Sequence, residues 1–185
     1  MLFRSRRKKT LQLSNKTDGD KKNILYQLQE DLQLTGLPLH IECFDNSNFQ
    51  GSYPVSAMVC FKNGMPSKKD YRHYNIKTVE GINDFASMKE VVNRRYSRLL
   101  NEQSTLPQLV IIDGGKGQLS AAMDIITELG LQGRMTVVGL AKNEEELFFQ
   151  NDTLSIKIPW NSDSLKLVRR IRDEVHRYEI GRAHV

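Results

Sequence analysis

Two cysteines occur in 185 residues, Cys43 and Cys60, each inside an apolar segment. That scarcity excludes a disulfide-stapled scaffold and a cysteine-rich zinc module, and both read as small core residues in a reducing compartment. No apolar run approaches the roughly 20 residues of a membrane span. The N-terminus also lacks the apolar stretch of a secretory signal, so a soluble, cytoplasmic, membrane-free chain is expected. Neither G-x-x-x-x-G-K-S/T nor G-x-G-x-x-G is present. A nucleotide-binding α/β protein is therefore left with a glycine-rich turn but no Walker lysine. Acid is in deficit, with 22 Asp and Glu against 27 Lys and Arg, and the resulting charge of +5 tilts partners toward polyanions.

What is present begins with a basic, polar stretch to about Asp20, carrying Arg4, Arg6, Arg7, Lys8 and Lys9, which reads as a solvated tail or a phosphate-contacting arm. Ile24, Leu25, Leu28 and Leu32 are spaced for a short amphipathic helix, and Gly36 and Pro38 mark a linker. Apolar runs then predict strands at Leu39–Asp45, Val55–Phe61 and about Asp70–Ile76, with Asn63-Gly64 as a hairpin turn. Met88, Val91, Val92, Tyr96, Leu99 and Leu100 share one face of a helix over Asn83–Asn101. A strand at Leu109–Asp113, a helix ending at Gly130 and a strand at Met135–Leu140 follow. A hairpin (Leu147–Gln150 with Leu154–Ile158) and a last helix from Ser164 complete the order. Three meandering strands followed by α/β crossovers predict an α/β fold with a mixed sheet.

Asp45 and Asp113 each close a buried-strand pattern. A carboxylate there is costly to keep ionised unless something offsets its charge. In open α/β sheets ligands gather beyond the carboxyl ends of strands. The pair therefore points to a shared hard cation, Mg2+ or Mn2+, against the plainer reading of two strand-end caps. Asp113-Gly114-Gly115-Lys116-Gly117-Gln118 offers glycine backbone and a helix N-terminus to a phosphate. His176 stands at the edge of the stripe Leu165, Val168, Ile171, Val175, on the side of Arg169 and Arg172, which would disfavour its charged form. It reads either as a helix-end histidine or as a metal ligand or proton carrier. Basic and aromatic residues interleave at Lys68–Tyr74 and at Arg94–Arg98, as nucleic-acid-tracking stretches or as surface charge over core tyrosines. Tyr71, His73 and Asn75 alternate to one face of their strand, Arg72 and Tyr74 to the other.

Six motifs in order, Ile41-Glu42-Cys43-Phe44-Asp45-Asn46-Ser47-Asn48, Lys69-Asp70-Tyr71-Arg72, Asp84-Phe85-Ala86-Ser87-Met88, Asp113–Gln118, Gly139-Leu140-Ala141-Lys142 and Arg172–Tyr178, resemble the RNase H-like endonuclease domain of the UvrC family. The resemblance implies an RNase H-like fold over 39–178, behind a basic tail and linker helix at 1–38. It implies a divalent-metal-dependent endonuclease of bacterial nucleotide excision repair that cuts 5′ to a lesion in double-stranded DNA, leaving a 5′-phosphate and a 3′-hydroxyl. UvrB, and UvrA in the pathway, are the implied partners. Asp45, Asp113 and His176 are the implied catalytic and metal-binding residues, and Lys116, Gln118, Lys142, Arg172 and Arg177 the expected DNA contacts. Asn46 and Asn48 replace the family's more frequent Ile and His. Residues 179–185 depart from the family and are expected to be a foreign or truncated tail. The alternative is a fragment that cuts nothing and serves only as a DNA- or partner-binding module.

Overall fold

A computed structural model describes residues 18–47, 54–141 and 146–181. Its elements are α1 (Asp18–Asp31), β1 (His40–Ser47), β2 (Val55–Lys62), β3 (Met65–Pro66) and β4 (Arg72–Asn75). After these come α2 (Asp84–Asn101), β5 (Leu109–Asp113), α3 (Gly115–Glu128), β6 (Thr136–Leu140), β7 (Leu147–Phe148) and α4 (Asp163–Ile180). One mixed sheet runs β3-β2-β1-β5-β6-β7, with β4 beside β3 on the outer edge of β2. β1 pairs antiparallel with β2 and parallel with β5, and β5 pairs parallel with β6. This is the mixed α/β sheet that the strand order predicts.

The apolar periods decide which face each helix covers. Along β1, Ile41 and Cys43 point to one side, where they join Leu109 and Ile111 of β5 and the α4 stripe Leu165, Val168, Ile171 and Val175. Phe44, Val110 and Ile112 point to the other, against Met88, Val91 and Val92 of α2 and Leu119, Ala122 and Ile126 of α3. β5 is buried at all five positions, because neighbours flank both edges and helices cover both faces. It accordingly reads as a continuous apolar run rather than an alternation. Leu25, Leu28 and Leu32 lie in the same layer as α4, and Ser164 donates to the Asp31 carboxylate.

Two stretches differ from the periodic reading. The strand expected at Asp70–Ile76 forms as the shorter β4, preceded by a two-residue strand, β3, and a 3-10 turn at Lys68–Asp70 that the apolar pattern does not announce. Pro66 has no N–H to extend the edge ladder, and the Ser67 hydroxyl donates to Asp70 to close the turn. The Asn63-Gly64 turn forms as expected, with φ of 53° and 76°. The hairpin over 147–158 is reduced to β7 and one bridge between Leu147 and Ile156. β7 pairs only with Gly139 and Leu140 of β6, and Leu154 on the far arm is left 81% exposed.

Candidate active site

Asp45 and Asp113 are register partners on adjacent parallel strands, Asp113 as the last residue of β5 and Asp45 two residues before the end of β1, which runs on to Ser47. Both project toward α4 from the middle of the sheet, 5% and 0% exposed. His176 meets them from α4: its Nε2 donates to Asp113 Oδ2 at 2.6 Å and lies 3.2 Å from Asp45 Oδ2. The sheet register and the α4 stripe thus bring together the three residues on which the sequence reading converges. Hydrogen bonds to Asp113 and Asp45 push the imidazole pKa up to about 10 against the opposing pull of burial. This reverses the sequence expectation, in which Arg169 and Arg172 disfavour the charged ring. The carboxylates touch the ring directly, and proximity decides the sign.

The end of α4 is tied down on both sides of His176. Tyr71 donates to Glu174 at 3.0 Å, and Arg177 makes a two-pronged contact with the same carboxylate at 2.6 and 2.9 Å. The His73 ring stacks on Tyr178 at 3.9 Å and donates to the Tyr178 carbonyl at 3.0 Å. Tyr71 and His73 therefore share the α4 side, as alternation predicts, while Tyr74 lies under the Arg94 guanidinium of α2.

The opposite wall joins three segments. The Asn46 amide donates to the Asp84 carbonyl at 3.0 Å and to Gln118 Oε1 at 3.2 Å, and its own oxygen accepts from Ser56. Gly115 sits at φ 86°, a conformation that favours glycine, and α3 begins without a side-chain cap. Its first-turn N–H groups and the exposed Lys116 are thereby left to an anion just past Asp113. Gln118 is only 7% exposed and braces Asn46. Arg172 lies half-buried one helical turn before His176, Arg177 is engaged by Glu174, and Lys142 lies outside the described residues.

Among the described residues, two groups bring three possible metal ligands within 4.8 Å of one another: Asp45, Asp113 and His176, and His40, Glu42 and Cys60. Their chemistry separates them. Both Glu42 oxygens are occupied, by Arg95 Nε and Nη2 at 3.1 and 2.6 Å, the Tyr96 hydroxyl at 3.0 Å and His40 Nε2 at 3.0 Å. Asp113 Oδ1, in contrast, is buried with no hydrogen-bond partner, a state that costs free energy unless a ligand completes it. Two carboxylates with an unfilled oxygen fit a divalent cation, and the imidazole can join them as a ligand once Nε2 gives up its proton.

The Glu42–Arg95 pair is missed by sequence spacing, which groups Arg95 with a DNA-tracking stretch. Arg95 is 8% exposed, and Arg94 is engaged by Glu90 and the Asn75 carbonyl. The available signal was Glu42 itself, an acid alternating with apolar residues inside a buried strand.

The UvrC RNAse H endonuclease domain family matches residues 29–180. The chain is 58% identical to UvrABC system protein C of Flavobacterium psychrophilum over 157 residues, covering 85% of this chain and 26% of that protein. It is 59% identical to the Cytophaga hutchinsonii protein of the same name, with the same two coverages. The Flavobacterium johnsoniae protein is 53% identical over 96% of this chain and 30% of its own length. The chain thus spans under a third of these relatives. Among solved structures, endonuclease V of Ciona intestinalis, in complex with inosine-containing DNA, aligns over 85% of this chain and 69% of its own at 17% identity and a TM-score of 0.41.

Proposed function

This chain belongs to the UvrC RNAse H endonuclease domain family, and we propose that it is the part of a nucleotide excision repair nuclease that cuts a DNA strand 5′ to a lesion in the bacterial cytoplasm. The observation that carries the reading is the buried, unpartnered Oδ1 of Asp113, a residue whose other oxygen meets His176 beside Asp45. Asp45 and Asp113 would hold Mg2+ or Mn2+. A bound cation supplies positive charge for the attacked phosphate and lowers the pKa of water. His176 holds a proton on Nε2 between the two carboxylates, within reach of a phosphate oxygen drawn toward them. Lys116 and the α3 N-terminus bind the phosphodiester beside the acidic pair, where Asp45 and Asp113 alone would repel it. Arg172 adds positive charge one turn from His176. Damaged duplex DNA is the substrate, and UvrB, loaded by UvrA, is the partner that delivers it.

Asp113→Asn keeps the size of the side chain and removes its charge. In a Mg2+-dependent assay on a duplex with one bulky lesion, with UvrA and UvrB added, the unsubstituted chain is expected to nick the damaged strand on the 5′ side. Asp113→Asn is expected to bind the same DNA, melt as a folded protein and leave the strand intact, a loss of at least ~100-fold. Cutting retained by the variant would remove Asp113 from the reaction. Binding without a nick by the unsubstituted chain would favour a non-catalytic module.

A further inference from the structure

Phe85 is the second residue of α2, and 55% of its surface is open to solvent. Its ring is nevertheless placed from below. A Cβ at Gly117 would lie 2.6 Å from both Cε1 and Cζ of the ring, so the far edge of Phe85 rests on bare backbone in the first turn of α3. Both neighbouring segments lead to the acidic pair. Gly117 follows Asp113 by four residues, and the carbonyl of Asp84 accepts from Asn46, which adjoins Asp45. Ile82, three residues before Phe85, is 76% exposed.

Single exposed apolar residues are ordinary on protein surfaces. Phe85 differs in where it stands and in how it is seated. The apolar stripe of its own helix is already complete without it, since Met88, Val91 and Val92 are buried to 1% exposure or less. The open ring flanks the turn that carries Lys116 and the uncapped α3 N-terminus. A nucleic acid whose phosphate lies at that turn brings a base with it. A base has a flat π face that an aromatic ring accepts irrespective of sequence.

We infer that Phe85 is a stacking platform for a nucleobase next to the phosphate at Asp45 and Asp113, so that the site takes a nucleotide unstacked from its neighbour rather than continuous duplex. This rests on the nuclease reading above and adds the state of the base to it. Paired, stacked DNA offers the ring only a base edge. A lesion-distorted or unpaired step offers a whole face.

Trp160 is the sole tryptophan, so the double variant Trp160→Phe, Phe85→Trp carries its only indole at the platform. The probe is a fluorescein-labelled duplex with a short unpaired bubble, compared with a duplex whose bubble sugars lack bases. Anisotropy is expected to show binding, and the bubble with bases to quench the indole while the abasic one does not. Phe85→Leu keeps apolar bulk over Gly117 but has no π face, and is expected to bind the bubble about tenfold more weakly, with Phe85→Tyr within about twofold of the parent. Gly117→Ala, which lifts the ring, is expected to weaken binding in the same direction. Binding by anisotropy with an unquenched indole and equal affinities for Phe85 and Phe85→Leu would overturn the platform and leave the nuclease reading standing. No binding of any of these DNAs by the parent chain would overturn both.

Discussion

Asp113 and Glu42 are acids buried in adjacent strands of one sheet, with opposite surroundings. Asp113 keeps an oxygen without a partner, whereas Glu42 is saturated by Arg95, Tyr96 and His40. Burial pushes the Glu42 pKa up, but the hydrogen bonds and charges of His40 and Arg95 outweigh it, and the net shift is downward from the usual 4.5. A depressed carboxylate contributes stability above its unfolded pKa and loses it as pH falls through the folded one. Glu42→Gln leaves the Arg95 guanidinium buried without its counter-charge, a change that costs about 3–5 kcal/mol. The gap in urea midpoint between parent and Glu42→Gln is expected to be full at about pH 7 and to narrow once pH drops below about 4. A gap that stays constant to about pH 3 would show that the Glu42 charge is not what Arg95 needs.

The strands and helices that build the site are legible because each carries an unbroken apolar pattern. β1, β5, α2 and α4 are recognised from apolar spacing, and the Asn63-Gly64 turn from its residue types. Failures fall where the deciding partner is remote. Arg95 meets Glu42 across 53 residues, and nothing in the local pattern Arg94–Arg98 distinguishes a buried guanidinium from a solvated one. Gly139 shows the same dependence on a partner in another element. A Cβ there would lie 2.4 Å from Cε2 and Cζ of Phe148, a ring only 3% exposed and packed in the core. Gly117 has an aromatic neighbour almost as close, at 2.6 Å, but Phe85 is 55% exposed and has solvent to move into. Gly139→Ala is therefore expected to lose about 1–3 kcal/mol by overpacking, and Gly117→Ala no more than about 0.5 kcal/mol. Urea denaturation of the two variants side by side checks the contrast, and equal losses would refute it.

Across the whole molecule, the acidic pair lies near the carboxyl ends of two adjacent central parallel strands, with α3 starting beside it and α4 crossing above it. The two aspartates are visible in sequence as strand ends, but their pairing depends on β5 inserting next to β1 through the α2 crossover. His176 arrives 63 residues after Asp113 on a helix whose stripe fixes its rotation. The folded chain therefore assembles a candidate ligand set that the unfolded chain scatters, and a cation that binds it must stabilise the fold. At a hundredfold excess over its dissociation constant the linkage is worth about 2.7 kcal/mol, which for a chain of this size raises the melting temperature by roughly 5–10 °C. Mn2+ titrated against the chain after chelator treatment is expected to give that shift. Asp113→Asn is expected to abolish it, and Glu42→Gln, whose cluster is already saturated, to show the full shift from a lower baseline. A shift that survives in Asp113→Asn but vanishes in Glu42→Gln would place the cation at His40, Glu42 and Cys60, against the hydrogen bonds that now fill that carboxylate.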